Sequence, residues 1–200
     1  MQKTKEKRKI KGKITFRSYK AGTLAKVKPL ISELNACLSL RLGNQAKIKK
    51  LRTKIASILK RGAVGQIKQG NLIMQAANYG TDLIIQQLNG FLVTPVYGLA
   101  INYIAIGTGT ATPANSDTQL TTETNRGIVV YSQDTNFNEI QLQAFFPDAN
   151  LANGTYREAG SFIGATATPN SGQMFNHALF AVPYTKTSGI DTTVEIDITL

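Results

Sequence analysis

Two periods of apolar recurrence divide the chain. Ile14, Phe16 and Ser18 alternate with Thr15, Arg17 and Tyr19 between Gly12 and an Ala21-Gly22 turn, which predicts a strand over 13–20. The period then lengthens. Leu30, Ile31, Leu34, Cys37, Leu38 and Leu42 recur at three- and four-residue steps, and so do Ile48, Leu51, Ile55, Ile58 and Leu59, each set making one stripe along a helix. Gly43-Asn44 supplies a stop and an N-cap between the two runs. Gly62 closes the second just after Lys60 and Arg61, where cations suit the helix C-terminal dipole. The pattern predicts an αα-hairpin over 29–42 and 44–61.

Residues 63–69 read as a short strand. Residues 78–90 read as a further helix, with Asn78 or Thr81 as cap, Leu83, Ile84, Gln87 and Leu88 along one side, and Gly90 as stop. After an apolar loop broken by Pro95 and Gly98, strands are expected over 102–106, 127–132, 139–146, 157–163, 174–182 and 193–200. Two of these alternate cleanly: Ile140, Leu142, Ala144 and Phe146 against Glu139, Gln141 and Gln143, and Val194, Ile196, Ile198 and Leu200 against Glu195, Asp197 and Thr199. Half-buried antiparallel strands produce that pattern. The expected fold class is α+β: a mainly antiparallel β-sandwich with an inserted basic αα-hairpin and one further helix. The expected organisation is a basic arm over 1–13, a strand plus basic hairpin forming an anchoring region over 14–70, and a helix plus sandwich over 71–200.

Charge sharpens that division. Residues 1–70 hold 20 Lys or Arg against only Glu6 and Glu33, whereas residues 71–200 hold three basic side chains against ten acidic ones. The formal charge of +11 is therefore the balance of a strongly basic half and a mildly acidic half, which implies that the two ends face different surroundings. Lys3, Lys5, Lys7, Arg8 and Lys9 make an arm with too little apolar surface to fold by itself. On the second predicted helix Lys47, Lys49, Lys50, Arg52, Lys54, Lys60 and Arg61 crowd the polar face with no acidic side chain to pair with. Like charges at that spacing repel by a few tenths of a kcal/mol per pair, roughly, so an anionic partner is implied. These twelve residues are the candidate docking set.

Little in the sequence points to catalysis, and no catalytic residue, cofactor or metal site is expected. One cysteine and one histidine, Cys37 and His177, lie far apart. Cys37 reads as an apolar filler of a helix face, and His177 in an apolar run reads as packed and hydrogen-bonded. The Gly107-Thr108-Gly109-Thr110 run lacks the Lys-Ser/Thr and the following helix of a phosphate loop, so it reads as a tight turn in which glycine supplies positive φ. Asp117, Glu123, Asp134, Asp148 and Glu158 show no spacing that sets two carboxylates beside a base. Arg157-Glu158 reads as a salt bridge or a pair satisfying nearby backbone, shared with Arg126. No segment approaches the roughly 18 apolar residues of a membrane span, and no apolar run follows the N-terminal charges, so neither an anchor nor a secretory signal is expected. An undisulfided fold suits a reducing cytoplasm.

The basic half admits three readings: docking on acidic surfaces of partner proteins, nucleic-acid binding through phosphates, or a solubilising face. Its charges are mostly Lys, point charges suited to phosphate or carboxylate rather than to reading bases.

The stretch YIAIGTGTATPANSDTQL over 103–120, followed by Glu123 and Arg126, and the later NGTYREAGSF over 153–162, resemble a pattern found in small structural proteins of tailed bacteriophages. NLIM at 71–74 leading into 79–90 matches the helix that precedes the first motif there. The resemblance covers about 13–16 and 70–200. It implies a virion component, made in the host cytoplasm, with a β-sandwich core: a tail-fibre, tail-tip or baseplate part, or a capsid decoration or head-fibre protein. It further implies homo-oligomers, with trimers among the options, and other virion proteins as partners. Residues 28–61 depart from the pattern, since a basic hairpin stands where the family has a short connection between strands. A nucleic-acid-binding module with a β appendage is the alternative.

Overall fold

The computed structural model describes residues 11–39, 45–73, 100–136 and 139–199. In chain order they form β1 (Lys11–Lys20), α1 (Thr23–Ser39), α2 (Gln45–Gly62), β2 (Ala63–Ile73), β3 (Ile101–Gly107), β4 (Glu123–Asn136), β5 (Glu139–Phe146), a 3-10 turn (Asp148–Asn150), β6 (Gly154–Ile163), β7 (Gln173–Lys186) and β8 (Ile190–Thr199). The predicted helix over 78–90 and the arm bearing Lys3, Lys5, Lys7, Arg8 and Lys9 lie outside the described residues.

The α+β class holds; the antiparallel sheet is barrel-shaped, and a two-sheet sandwich is not confirmed. The eight strands hydrogen-bond in the order β1-β2-β7-β6-β3-β4-β5-β8 and β8 returns to β1, closing an antiparallel barrel. Among the described residues the ring is completed where β2 meets β7, with Leu72 opposite His177 and Ile73 opposite Asn176. Register shifts at Ser18/Tyr19, Ile106/Gly107, Val129/Tyr131, Tyr156/Glu158 and Ser161/Phe162 add the twist and bend that closure requires. Alternation along a strand reports that one face is buried; it does not report whether that face closes on itself or on a second sheet.

The barrel interior follows from that alternation. Ile14 lies opposite Ile196 and Phe16 opposite Val194 across β1 and β8, while Leu142 and Ala144 of β5 face the same two residues from the other side. All six are buried in one cluster with Ile104, Ile106, Phe146, Phe180 and Tyr184. Phe16 stacks on Tyr184 at 4.8 Å between ring centroids and meets Phe180 edge-on at 4.8 Å, tying β1 to β7 across the core.

The hairpin begins earlier than its predicted start at Pro29. The stripe extends back through Leu24 and Val27, and Leu24 N–H donates to Asp191 Oδ2 at 3.0 Å, so a β8 carboxylate caps the first turn of α1. Pro29 sits inside the helix. Its missing N–H and ring cost of order 3 kcal/mol in an isolated helix, which the cap and the buried stripe offset here. Val27, Ile31 and Leu34 of α1 and Ile48, Leu51 and Ile55 of α2 form a small core of their own, which Phe145 of β5 joins from the barrel. α2 then passes into β2 without a loop, because Gly62 packs against the Thr23 side chain and a Cβ there would lie 2.5 Å from it. β1 and β2, the two legs of the hairpin, pair with each other from Gly12 opposite Asn71 to Tyr19 opposite Ala63. β1 pairs with β8 along its whole length, so the basic half and the acidic half share one ladder.

Candidate functional site

The charged face of α2 is set by its helical period. With Ile48, Leu51 and Ile55 turned to α1 and the barrel, Lys49, Lys50, Arg52, Lys54, Lys60 and Arg61 all fall on exposed positions. Among the described residues none of these six enters an ion pair. Lys47 differs from its prediction: its Nζ lies 2.9 Å from Glu33 of α1, which raises its pKa through that hydrogen bond. The pairing was hidden in the sequence because Glu33 lies on the other helix. Four of the exposed cations, Lys49, Lys50, Lys54 and Arg61, border a shallow, open groove along α2 whose lining includes Ala46, Thr53 and Ser57.

Beneath the hairpin the outward sheet face is polar, with its carboxylates buried and its cations partly exposed. Arg17 reaches Glu195 twice, Nε at 3.2 Å and Nη2 at 2.6 Å, and Gln143 Nε2 donates to the same carboxylate at 2.8 Å. Lys13 Nζ sits 2.6 Å from Asp197, which also accepts from Gln141 Nε2 at 2.9 Å. A cavity of about 140 Å³ lies at this seam, bounded by Ile31, Arg52, Ile55, Ala56, Leu59, Gln141 and Gln143. The hairpin thus rests on a layer of matched charges.

A second polar cluster organises the segments over 107–122 and 156–162. Glu158, with 0% exposure, accepts the backbone N–H of Gly109 at 3.0 Å, Thr121 at 3.0 Å and Thr122 at 2.7 Å, and faces His177 Nε2 at 3.0 Å. His177 Nδ1 lies 2.8 Å from Asp117 Oδ2. With a carboxylate oxygen at each ring nitrogen, only the imidazolium can donate to both. Burial alone would lower the histidine pKa, but the hydrogen bonds and charges of Glu158 and Asp117 outweigh it and raise it. Burial pushes Glu158 up, and its bonds to His177, Thr122 and Thr121 bring it below its ordinary value. His177 is therefore packed and hydrogen-bonded as expected, while two carboxylates do meet a base, which spacing did not reveal.

This cluster also corrects the reading of the glycines. Neither Gly107 nor Gly109 is among the positive-φ residues. A Cβ on Gly107 would strike the Thr122 carbonyl, and one on Gly109 would strike the Glu158 carboxylate. They are needed for close approach, not for a left-handed turn.

Arg126 and Arg157 likewise separate. Arg157 is exposed. Arg126 pairs with Glu123 rather than Glu158, Nε to Oε1 at 2.6 Å and Nη2 to Oε2 at 2.7 Å, and its guanidinium lies 4.9 Å from the Phe162 ring centroid. Its Nη1 also donates to the carbonyls of Thr166 and Ser171, tying down the loop between β6 and β7. Lys186, buried in β7, is held by Asp148 at 2.6 Å and Asn153 at 3.0 Å. Among the described residues no group of three His, Cys, Asp or Glu is arranged to hold a metal ion, and no helix is long and apolar enough to cross a membrane.

No protein-family model, curated protein or solved structure matches the chain.

Proposed function

We propose that this chain is a structural protein of a tailed-phage particle, a tail-fibre, tail-tip or baseplate component or a capsid decoration or head-fibre protein. It docks on acidic surfaces of neighbouring virion proteins through its basic hairpin and N-terminal arm and holds its β-domain outward, as a homo-oligomer. The reading includes no catalysis. One observation carries it: the buried charges of the barrel are matched within the fold, by an opposite charge or by backbone N–H groups, whereas six cations on α2 stand exposed without an ion pair among the described residues. An uncompensated single-sign face steers association more than it stabilises the fold that bears it. The motifs that resemble phage structural proteins add support, since their loops are held by backbone hydrogen bonds to Glu158. The glycines of the first motif are pressed against Glu158, and His177 of β7 meets a carboxylate at each ring nitrogen.

The test is incorporation. A phage carrying the gene with Lys49→Glu, Lys50→Glu, Lys54→Glu and Arg61→Glu together is expected to yield particles lacking this protein, while the purified variant keeps the circular dichroism of the parent. Particles with the normal copy number would overturn the proposal.

A further inference from the structure

We infer that the outward face of α2 seats an acidic amphipathic helix of a partner protein. The inference rests on the docking reading above and names the chemistry of the docked element. At 100° per residue, Ala46, Thr53 and Ser57 lie on the side of α2 directly opposite Ile48, Leu51 and Ile55. They form the floor of the groove. Lys49 borders it on one side, and Lys50, Lys54 and Arg61 border it on the other. Thr53 Oγ1 is spent on the Lys49 carbonyl at 2.9 Å, so this position offers its methyl group to the groove. Arg61 Nε is likewise drawn back to the Ser57 carbonyl at 3.4 Å, which keeps the floor open.

Three properties select a helix. Ala46, Thr53 and Ser57 recur at seven- and four-residue steps along one face, the spacing of a helix–helix seam. Small side chains on the floor allow axes to approach to roughly 8 Å. From Ala46 to Arg61 the groove runs about 22 Å, or about four turns, enough for a short helix to lie along it. The flanking cations then meet Asp and Glu on either side of the partner's apolar strip. A second copy of α2 would bring like charge against like charge. A phosphate backbone would use the cation tips but gain little from the small-residue floor between them. The single acid of the hairpin that meets α2, Glu33, is engaged with Lys47, leaving the rails without a counter-ion from α1.

The experiment uses the full-length protein and a fluorescein-labelled amphipathic peptide of about 18 residues, with a Leu/Ala strip flanked by Glu, a scrambled peptide of the same composition, and a DNA duplex of about 20 base pairs. Anisotropy is expected to show the amphipathic peptide bound at least about tenfold more tightly than the scrambled one. The variant Thr53→Arg with Ser57→Arg fills the floor while adding two positive charges. Both sites are exposed and Arg is a good helix former, so its melting temperature should match the parent. It is expected to lose about tenfold in peptide affinity even though its charge has risen. Equal binding of the scrambled peptide, tighter binding of the peptide by the double-Arg variant, or stronger binding of the duplex than of the peptide would each overturn the inference. Particle incorporation of the charge-reversed protein reports on docking separately. If that incorporation fails while the double-Arg variant binds peptide as the parent does, docking stands and the helix is excluded as its partner.

Discussion

Glu158 and His177 face each other at 3.0 Å inside the barrel wall, and through them three separate pieces of chain are bound together. Glu158 holds the N–H groups of Gly109, Thr121 and Thr122, and His177 holds Asp117, so the exposed Thr/Asn/Ser loop between β3 and β4 is fastened at both ends and in the middle.

Stability is expected to peak between the ordinary values of the two groups. The imidazolium is favoured in the fold, so its contribution is full below about 6.5 and is lost as pH rises through its raised folded pKa. The Glu158 carboxylate is favoured in the fold, so its contribution is full above about 4.5 and is lost as pH falls through its lowered folded pKa. Urea midpoints across pH should decline on both sides, and His177→Gln should flatten the alkaline decline. An unchanged alkaline limb in that variant would contradict the assignment.

Glu158→Gln removes the charge while keeping the shape. It leaves a buried imidazolium with Asp117 as its remaining carboxylate and turns an amide toward N–H donors. A loss of about 3–5 kcal/mol in denaturant unfolding is expected, with early proteolytic cutting between β3 and β4.

Gly109→Ala tests the close approach. The new methyl group must displace a buried carboxylate and the Thr121 side chain, costing about 1–3 kcal/mol. In the Glu158→Ala background the same substitution should cost clearly less, and a double-mutant cycle measures the difference.

Thr15→Val should stabilise. Thr15 has 0% exposure and its Oγ1 has no hydrogen-bond partner among the described residues. Replacing a buried, unsatisfied hydroxyl by a methyl group is expected to add about 1 kcal/mol, read from the urea midpoint at constant slope.

Arg126→Ala strands Glu123, whose side chain is 1% exposed, and frees the carbonyls of Thr166 and Ser171. A loss of about 3–5 kcal/mol is expected. Arg126→Lys should recover only part of it, because an ammonium cannot make the two-pronged contact with Glu123 and lie flat on Phe162 as well.

The strands were legible wherever one face alternated. β5 appears with its predicted bounds, and the inward residues of β8 are those the pattern picked out. The hairpin was legible from its stripes, though Pro29 masked the true start because the cap that permits it, Asp191, comes from β8. Closure of the barrel was not legible, since it depends on bulges and on the pairing of β2 with β7. The six exposed cations of α2 could be read from the helical period. The partners of Lys47, Glu158 and Arg126 could not, because each choice among several carboxylates is made by tertiary placement. Within YREAG, the buried Glu158 beside the exposed Arg157 is the plain case of strand alternation separating a pair that looked joined.

The direct passage of α2 into β2, with β1 entering α1 beside it, has a mechanical consequence. Both legs of the hairpin leave the same end of one strand pair, and β1 is bonded to β8 over ten consecutive residue pairs, from Lys11 opposite Thr199 to Lys20 opposite Ile190. A pull on the hairpin along the strand axis therefore loads that ladder in shear, spreading tension over many hydrogen bonds at once instead of peeling them singly. If the hairpin is the anchor, the barrel resists extraction by sharing the load along the whole β1–β8 ladder.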